Sequence, residues 1–163
     1  MKHTTLILSL LLLGITIPAR SFFLNTAFDK TAFYNAMASE KVDDINSQLS
    51  IVKALAVAGK DAYEGALLMR KAGLVSKAKE KLSLFKEGRK KLEASISKDN
   101  DNVEYCFLRL IIQEHAPKAV EYRNNIEHDS KLILANYKNL PAAIQQAIID
   151  YSKKSKSLKG LLP

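Results

Sequence analysis

The side chains able to do more than pack are concentrated between Tyr105 and Asn125. Within the almost wholly apolar run 103–114, Arg109 and Gln113 stand four residues apart, so on a helix they share a face, with Tyr105 one turn earlier. A charge is rarely left in an apolar interior without a partner. Arg109 therefore either meets a carboxylate such as Glu104 or Glu121, or lines a groove. Tyr122, Arg123 and Asn125 join the same groove if the chain doubles back at Pro117, whose ring disfavours helical geometry in the residue before it. The candidate binding residues are accordingly Tyr105, Arg109, Gln113, Tyr122, Arg123 and Asn125.

Other chemistries find less support in the spacing. His115 and His128 are the only histidines beyond residue 21; both have carboxylates adjacent in sequence, but helix neighbours at i and i+1 do not share a face. No His-Glu-x-x-His and no paired cysteines occur, so neither a metal nor another cofactor is expected. No Gly-x-Ser-x-Gly turn is present, and the glycines at 59, 65, 73, 88 and 160 are too dispersed for a phosphate loop. Glu104, Glu114, Glu121 and Glu127 could meet in space as a carboxylate pair, which keeps a small envelope hydrolase as an alternative. Cys106, flanked by Tyr105, Phe107 and Leu108, reads as a small buried hydrophobe, and as the single cysteine it forms no internal disulfide.

The charge balance narrows the partners. The formal net charge is +8, and the lysines spread over 77–91 and 153–159 without aromatic residues interleaved to stack bases. Nucleic acid is therefore not an expected partner. Lys153, Lys154, Lys156 and Lys159 leave association with an anionic membrane or envelope polymer as a second alternative.

These residues must be positioned by helices. Apolar residues recur at three- and four-residue steps almost throughout, and period-2 alternation is scarce. One helix is expected over 39–58, with Gly59 as its stop; a shorter one is capped by Asp61 and stopped at Gly73. A third, over 75–98, has Ala78, Leu82, Phe85, Leu92 and Ile96 on one stripe. The run 103–114 is the expected central helix. Short helices follow near 118–125 and 129–137, and a last one behind Pro141 presents Ala143, Ile144, Ala147, Ile148 and Tyr151.

The ends differ from this body. Lys2 precedes an apolar run over 6–17, followed by Pro18-Ala19-Arg20-Ser21, the three zones of a cleavable secretory leader with cleavage after Ser21. A run of about a dozen residues falls short of the roughly 20 that cross a bilayer as a helix, so no stable span is expected after cleavage. With no Cys at the cleavage point, acylation there is not expected. The domain plan is a leader over 1–21, a segment of unassigned structure over 22–38 in which Phe22, Phe23 and Phe28 pack back on the domain, one helical domain over 39–152, and a basic, frayed tail over 153–163.

Gly88, Leu92 and Ser95, followed by Asp99-Asn100-Asp101-Asn102, resemble the second helix and exit turn of a tetratricopeptide repeat. That family places small residues where two helices cross and a bulky one between them. The resemblance covers residues 85–102, about half a repeat, with Asn100 where the family has a turn Pro; Cys106, Arg109 and Leu110 depart from its next helix. The stretch 61–117 also resembles a group of small exported bacterial proteins. The resemblance implies a helical-hairpin stack that binds a protein or peptide. The expectation is thus an all-α protein of five to seven helices, in a hairpin stack or irregular bundle, exported to the periplasm or cell exterior as a non-enzymatic protein- or peptide-binding module.

Overall fold

The computed structural model describes residues 28–160. The leader reading, and the packing expected of Phe22 and Phe23, fall outside them. The described chain is all-α: α1 (Lys30–Ala38), α2 (Val42–Ala54), α3 (Lys60–Leu74), α4 (Ala78–Lys98), α5 (Val103–His115), α6 (Ile126–Asn136) and α7 (Ala142–Ser152), with 3-10 turns at Lys118–Val120 and Tyr137–Asn139.

The central helix is α5, as its composition requires. Asn102 caps it, its side-chain oxygen accepting the Tyr105 amide at 3.1 Å, and Glu104 in the first turn suits the positive end of the helix dipole. Cys106, Phe107, Leu108 and Leu110 are fully buried, and α3, α4, α6 and α7 all pack around them. Burial of side chains of this size is worth about 1.5–3 kcal/mol each before entropy is counted.

α3 and α4 form the tightest hairpin, crossing where Gly65 meets Gly88. A methyl group on Gly65 would lie 2.6 Å from the Gly88 carbonyl oxygen, and one on Gly88 would lie 2.5 Å from that of Gly65. Only hydrogen at these positions lets the backbones approach so closely. Below the crossing, Leu92 and Ile96 of α4 are buried. Above it, the same apolar stripe emerges from the core: Ala78 is exposed, Leu82 is 49% exposed and Phe85 is half-buried.

The helix boundaries differ from the sequence expectation at several places: the helix expected over 39–58 ends at Ala54, where Leu55 turns extended, and the one expected near 118–125 is only the 3-10 turn Lys118–Val120, with α6 opening at Ile126. The segment 22–38 contains α1 from Lys30, its Ala32 amide bonded to the Asp29 carboxylate at 3.0 Å, and Phe28 packs edge-to-face on Phe33 and Tyr63. The expected helix over 39–58 begins only at Val42, because Ser39 is extended and closes α1 through its amide. Gly59 sits at the N-cap of α3 with φ of 77°, a left-handed conformation that suits glycine, so it starts that helix in place of Asp61. Gly73 lies inside α3.

Residues 153–160 are not a frayed tail. Leu158 is fully buried and Ser155 is 2% exposed. Glu114 holds the segment in place, one carboxylate oxygen accepting the amides of Lys156 at 3.1 Å and Ser157 at 2.9 Å and the Ser157 hydroxyl at 2.8 Å. A lysine-rich composition concealed one apolar anchor and one acid far away in sequence.

Candidate functional site

Arg109 is buried and paired. Its Nε and Nη2 donate to the two oxygens of Asp129 at 2.8 and 2.7 Å, a bidentate bond, and Nη1 reaches Glu93 at 3.1 Å. Asp129, at the start of α6, is fully buried, whereas His128 beside it is exposed and contacts it at 3.1 Å. The partners are thus neither Glu104 nor Glu121, and Arg109 does not line a groove. Glu104 lies five positions back on α5, about 140° around the helix, and Glu121 is exposed, on the rim of the pocket that Glu93 also lines.

Tyr122 joins this network by donating to the other oxygen of Glu93, its ring packed edge-on against Phe85 and under the Arg89 guanidinium. Burial pushes the Tyr122 phenol above its usual range, and the Glu93 charge adds to it. Gln113 is 1% exposed; its Nε2 donates to Asn125 Oδ1 at 3.4 Å, while its Oε1 has no hydrogen-bond partner among the described residues. Gln113, Tyr122, Arg123 and Asn125 line one polar pocket of about 100 Å³ with Glu93, Arg89, Glu121 and Asn124. Four of the six candidate residues are therefore brought together.

Tyr105 belongs elsewhere. Residues four apart drift by about 40° around a helix, and at the start of α5 Tyr105 faces Tyr63 of α3, ring centroids 6.1 Å apart. There Glu104 accepts Lys30 at 2.8 Å, Tyr34 at 3.0 Å and Tyr63 at 2.8 Å. The Lys30 ammonium lies 3.9 Å from the Tyr63 ring centroid. Burial lowers the Lys30 pKa, opposed by the Glu104 bond and charge; burial raises those of Tyr34 and Tyr63, reinforced by the same charge. This cluster closes α1 onto α3 and α5, and no local pattern could announce it, because Lys30 and Glu104 are 74 residues apart.

The four glutamates considered for a catalytic pair go to separate partners: Glu104 to Lys30, Glu114 to the 155–158 segment, Glu127 to Lys131 at 2.7 Å, and Glu121 to the rim of the polar pocket. Cys106 is fully buried, and its thiol is pushed up to about 12, first by burial and then by the Asp129 charge.

A second concavity is one that the sequence reading did not name. A mostly apolar groove of about 690 Å³ runs between α1, α3, α4, α5 and α7. One wall is the emergent stripe of α4, Ala78, Leu82 and Phe85; the opposite wall is Ala143, Ala147 and Tyr151 of α7, and the floor includes Met69, Phe107 and Ile111. Ala38, Ala72, Gly73, Ala116 and Ala119 add further small side chains. Its charged residues are Arg70, Lys81 and Lys154 against Glu40 and Asp150, and Lys153 already pairs Asp150 at 2.7 Å. The available signal was α4 itself, whose apolar stripe runs on from Leu92 and Ile96 to Phe85, Leu82 and Ala78.

Comparison of the chain with protein-family models, with curated proteins and with solved structures found no match.

Proposed function

We propose that this protein is a non-enzymatic binding module which takes an apolar-faced segment of a protein or peptide partner into the groove between α4 and α7. The observation that carries the reading is the half of α4 that no described residue covers. Its stripe continues the buried positions Leu92 and Ile96, yet Leu82 and Phe85 face a concavity. Exposed contiguous apolar surface of this kind marks interaction sites.

The lining favours a chain segment as occupant. Pockets of about 300–1,000 Å³ accept organic ligands, but the alanines and Gly73 interspersed in the lining let a helix or strand backbone approach closely, as helix-in-groove recognition requires. Arg70, Lys81 and Lys154 give the rim a positive excess, which suits a partner whose apolar anchors are flanked by acids. The leader-like residues 1–21 support placing this activity outside the cytoplasm.

Selection of a displayed peptide library on the protein, counter-selected on Ala147→Trp, tests the proposal. The expected yield is peptides sharing apolar anchors three or four residues apart with acidic flanks. No enrichment, or peptides that bind the filled variant equally well, would overturn it.

A further inference from the structure

The polar pocket beside the Arg109 network has the makings of a separate ligand site. Its floor is Gln113, almost fully buried, whose Oε1 lacks a partner among the described residues. A buried acceptor left unpaired is costly, so such an atom in a concave polar site calls for a donor. Beside it stands Glu93, each of whose oxygens receives one hydrogen bond, from Tyr122 and from Arg109, and each of which can accept another. Above this floor, exposed Arg89 and Arg123 stand at the mouth, and neither forms an ion pair among the described residues. With Glu121 also on its rim, the pocket thus offers acceptors below and two guanidinium donors beside one carboxylate above.

We propose that this pocket binds a small zwitterionic α-amino acid. Its ammonium donates to Gln113 Oε1 and Glu93, and its carboxylate meets Arg89 and Arg123, a pairing that guanidinium geometry favours. A space of about 100 Å³ equals roughly three water molecules at about 30 Å³ each. It accommodates glycine or alanine and excludes aromatic or branched side chains. The ligand needs both charges, because either alone would leave one half of the site unanswered. The site is independent of the apolar groove, although the Phe85–Tyr122 ring contact joins their walls.

Titration of the isotopically labelled protein with glycine, followed by amide and side-chain NMR, provides the test. Saturable shifts are expected at the Gln113 side-chain amide and the Arg123 Nε, with L-alanine similar and L-phenylalanine inert. Ethylammonium, acetate and glycinamide each lack part of the zwitterion and should bind about tenfold more weakly or worse. Gln113→Met, which keeps the shape and removes the acceptor, should lose the response; if it does not fold, Arg123→Ala at the exposed mouth should weaken glycine by about tenfold. No saturable shift up to tens of millimolar glycine would show that only solvent occupies the pocket and would overturn the proposal. Glycinamide binding as well as glycine would overturn the zwitterion assignment in favour of a peptide amino terminus.

Discussion

Asp129 is a fully buried carboxylate held by the two nitrogens of one guanidinium, and the energetics of such a pair are asymmetric. Removing one partner strands a charge out of water and costs about 3–5 kcal/mol, whereas replacing both with apolar groups of similar size is often neutral. Arg109→Met, which leaves the buried Asp129 with only the exposed His128, should therefore lower unfolding free energy by that amount in urea denaturation, and adding Asp129→Leu should recover most of it. A single-variant loss under about 1 kcal/mol would mean that the pair is not a core element. The need of Arg109 for a partner was legible in its apolar surroundings. Which acid answers it was not, because Asp129 is brought across by the turn at 117–125, where Glu121 takes a left-handed φ of 47° that its residue type does not announce. Cys106 belongs to the same interior. With its thiol pushed up to about 12 by burial first and the Asp129 charge second, it should react with a thiol reagent at neutral pH only as fast as the protein unfolds. Rapid labelling of the native protein would contradict this.

At the scale of elements, the crossing of α3 and α4 sets the geometry of both candidate sites. Below Gly88 the stripe of α4 is buried on α3; above it the stripe forms the wall of the groove. Gly65→Ala or Gly88→Ala forces the backbones apart, since the added methyl meets backbone atoms of the facing helix: the Gly88 carbonyl oxygen and the Leu92 nitrogen from Gly65, and the Gly65 carbonyl oxygen and the Met69 nitrogen from Gly88. The expected cost is about 1–3 kcal/mol, read as a lower thermal midpoint, with Gly73→Ala as a control that meets little within 4 Å. Equal midpoints for all three would contradict the close approach. Helical periodicity made these elements readable and located the stripe on α4. Periodicity names a face, however, and not what covers it; that Leu82 and Phe85 face a groove depended on α7 lying opposite, a tertiary arrangement with no local signature.

At the scale of the whole molecule, α5 ties the two ends of the described chain together. Lys30 docks α1 at its beginning through Glu104, and residues 155–158 dock at its end through Glu114. Burial alone would raise the Glu114 pKa, but hydrogen bonds from Tyr151 and Ser157 outweigh it and hold the carboxyl below its ordinary value. A carboxylate with a depressed folded pKa contributes stability that is present above its unfolded pKa and lost as pH falls through the folded one. Amide exchange in residues 155–160 should accordingly quicken, relative to the intrinsic rate, once the pH drops below the ordinary glutamate range, and Glu114→Gln should show the faster exchange already at neutral pH. Protection that is indifferent to both changes would place the anchor in Leu158 alone.

The central claim is that the groove between α4 and α7 receives a partner segment. The most direct measurement is the affinity of a library-selected peptide for the wild-type protein, for Leu82→Asp and Ala147→Trp inside the groove, and for Ala94→Trp on the exposed outer face of α4. Binding at least about tenfold weaker is expected for both groove variants, with folded spectra retained, and unchanged binding for Ala94→Trp. Affinity that is indifferent to Leu82 and Ala147, or that falls only with Ala94→Trp, would contradict that claim.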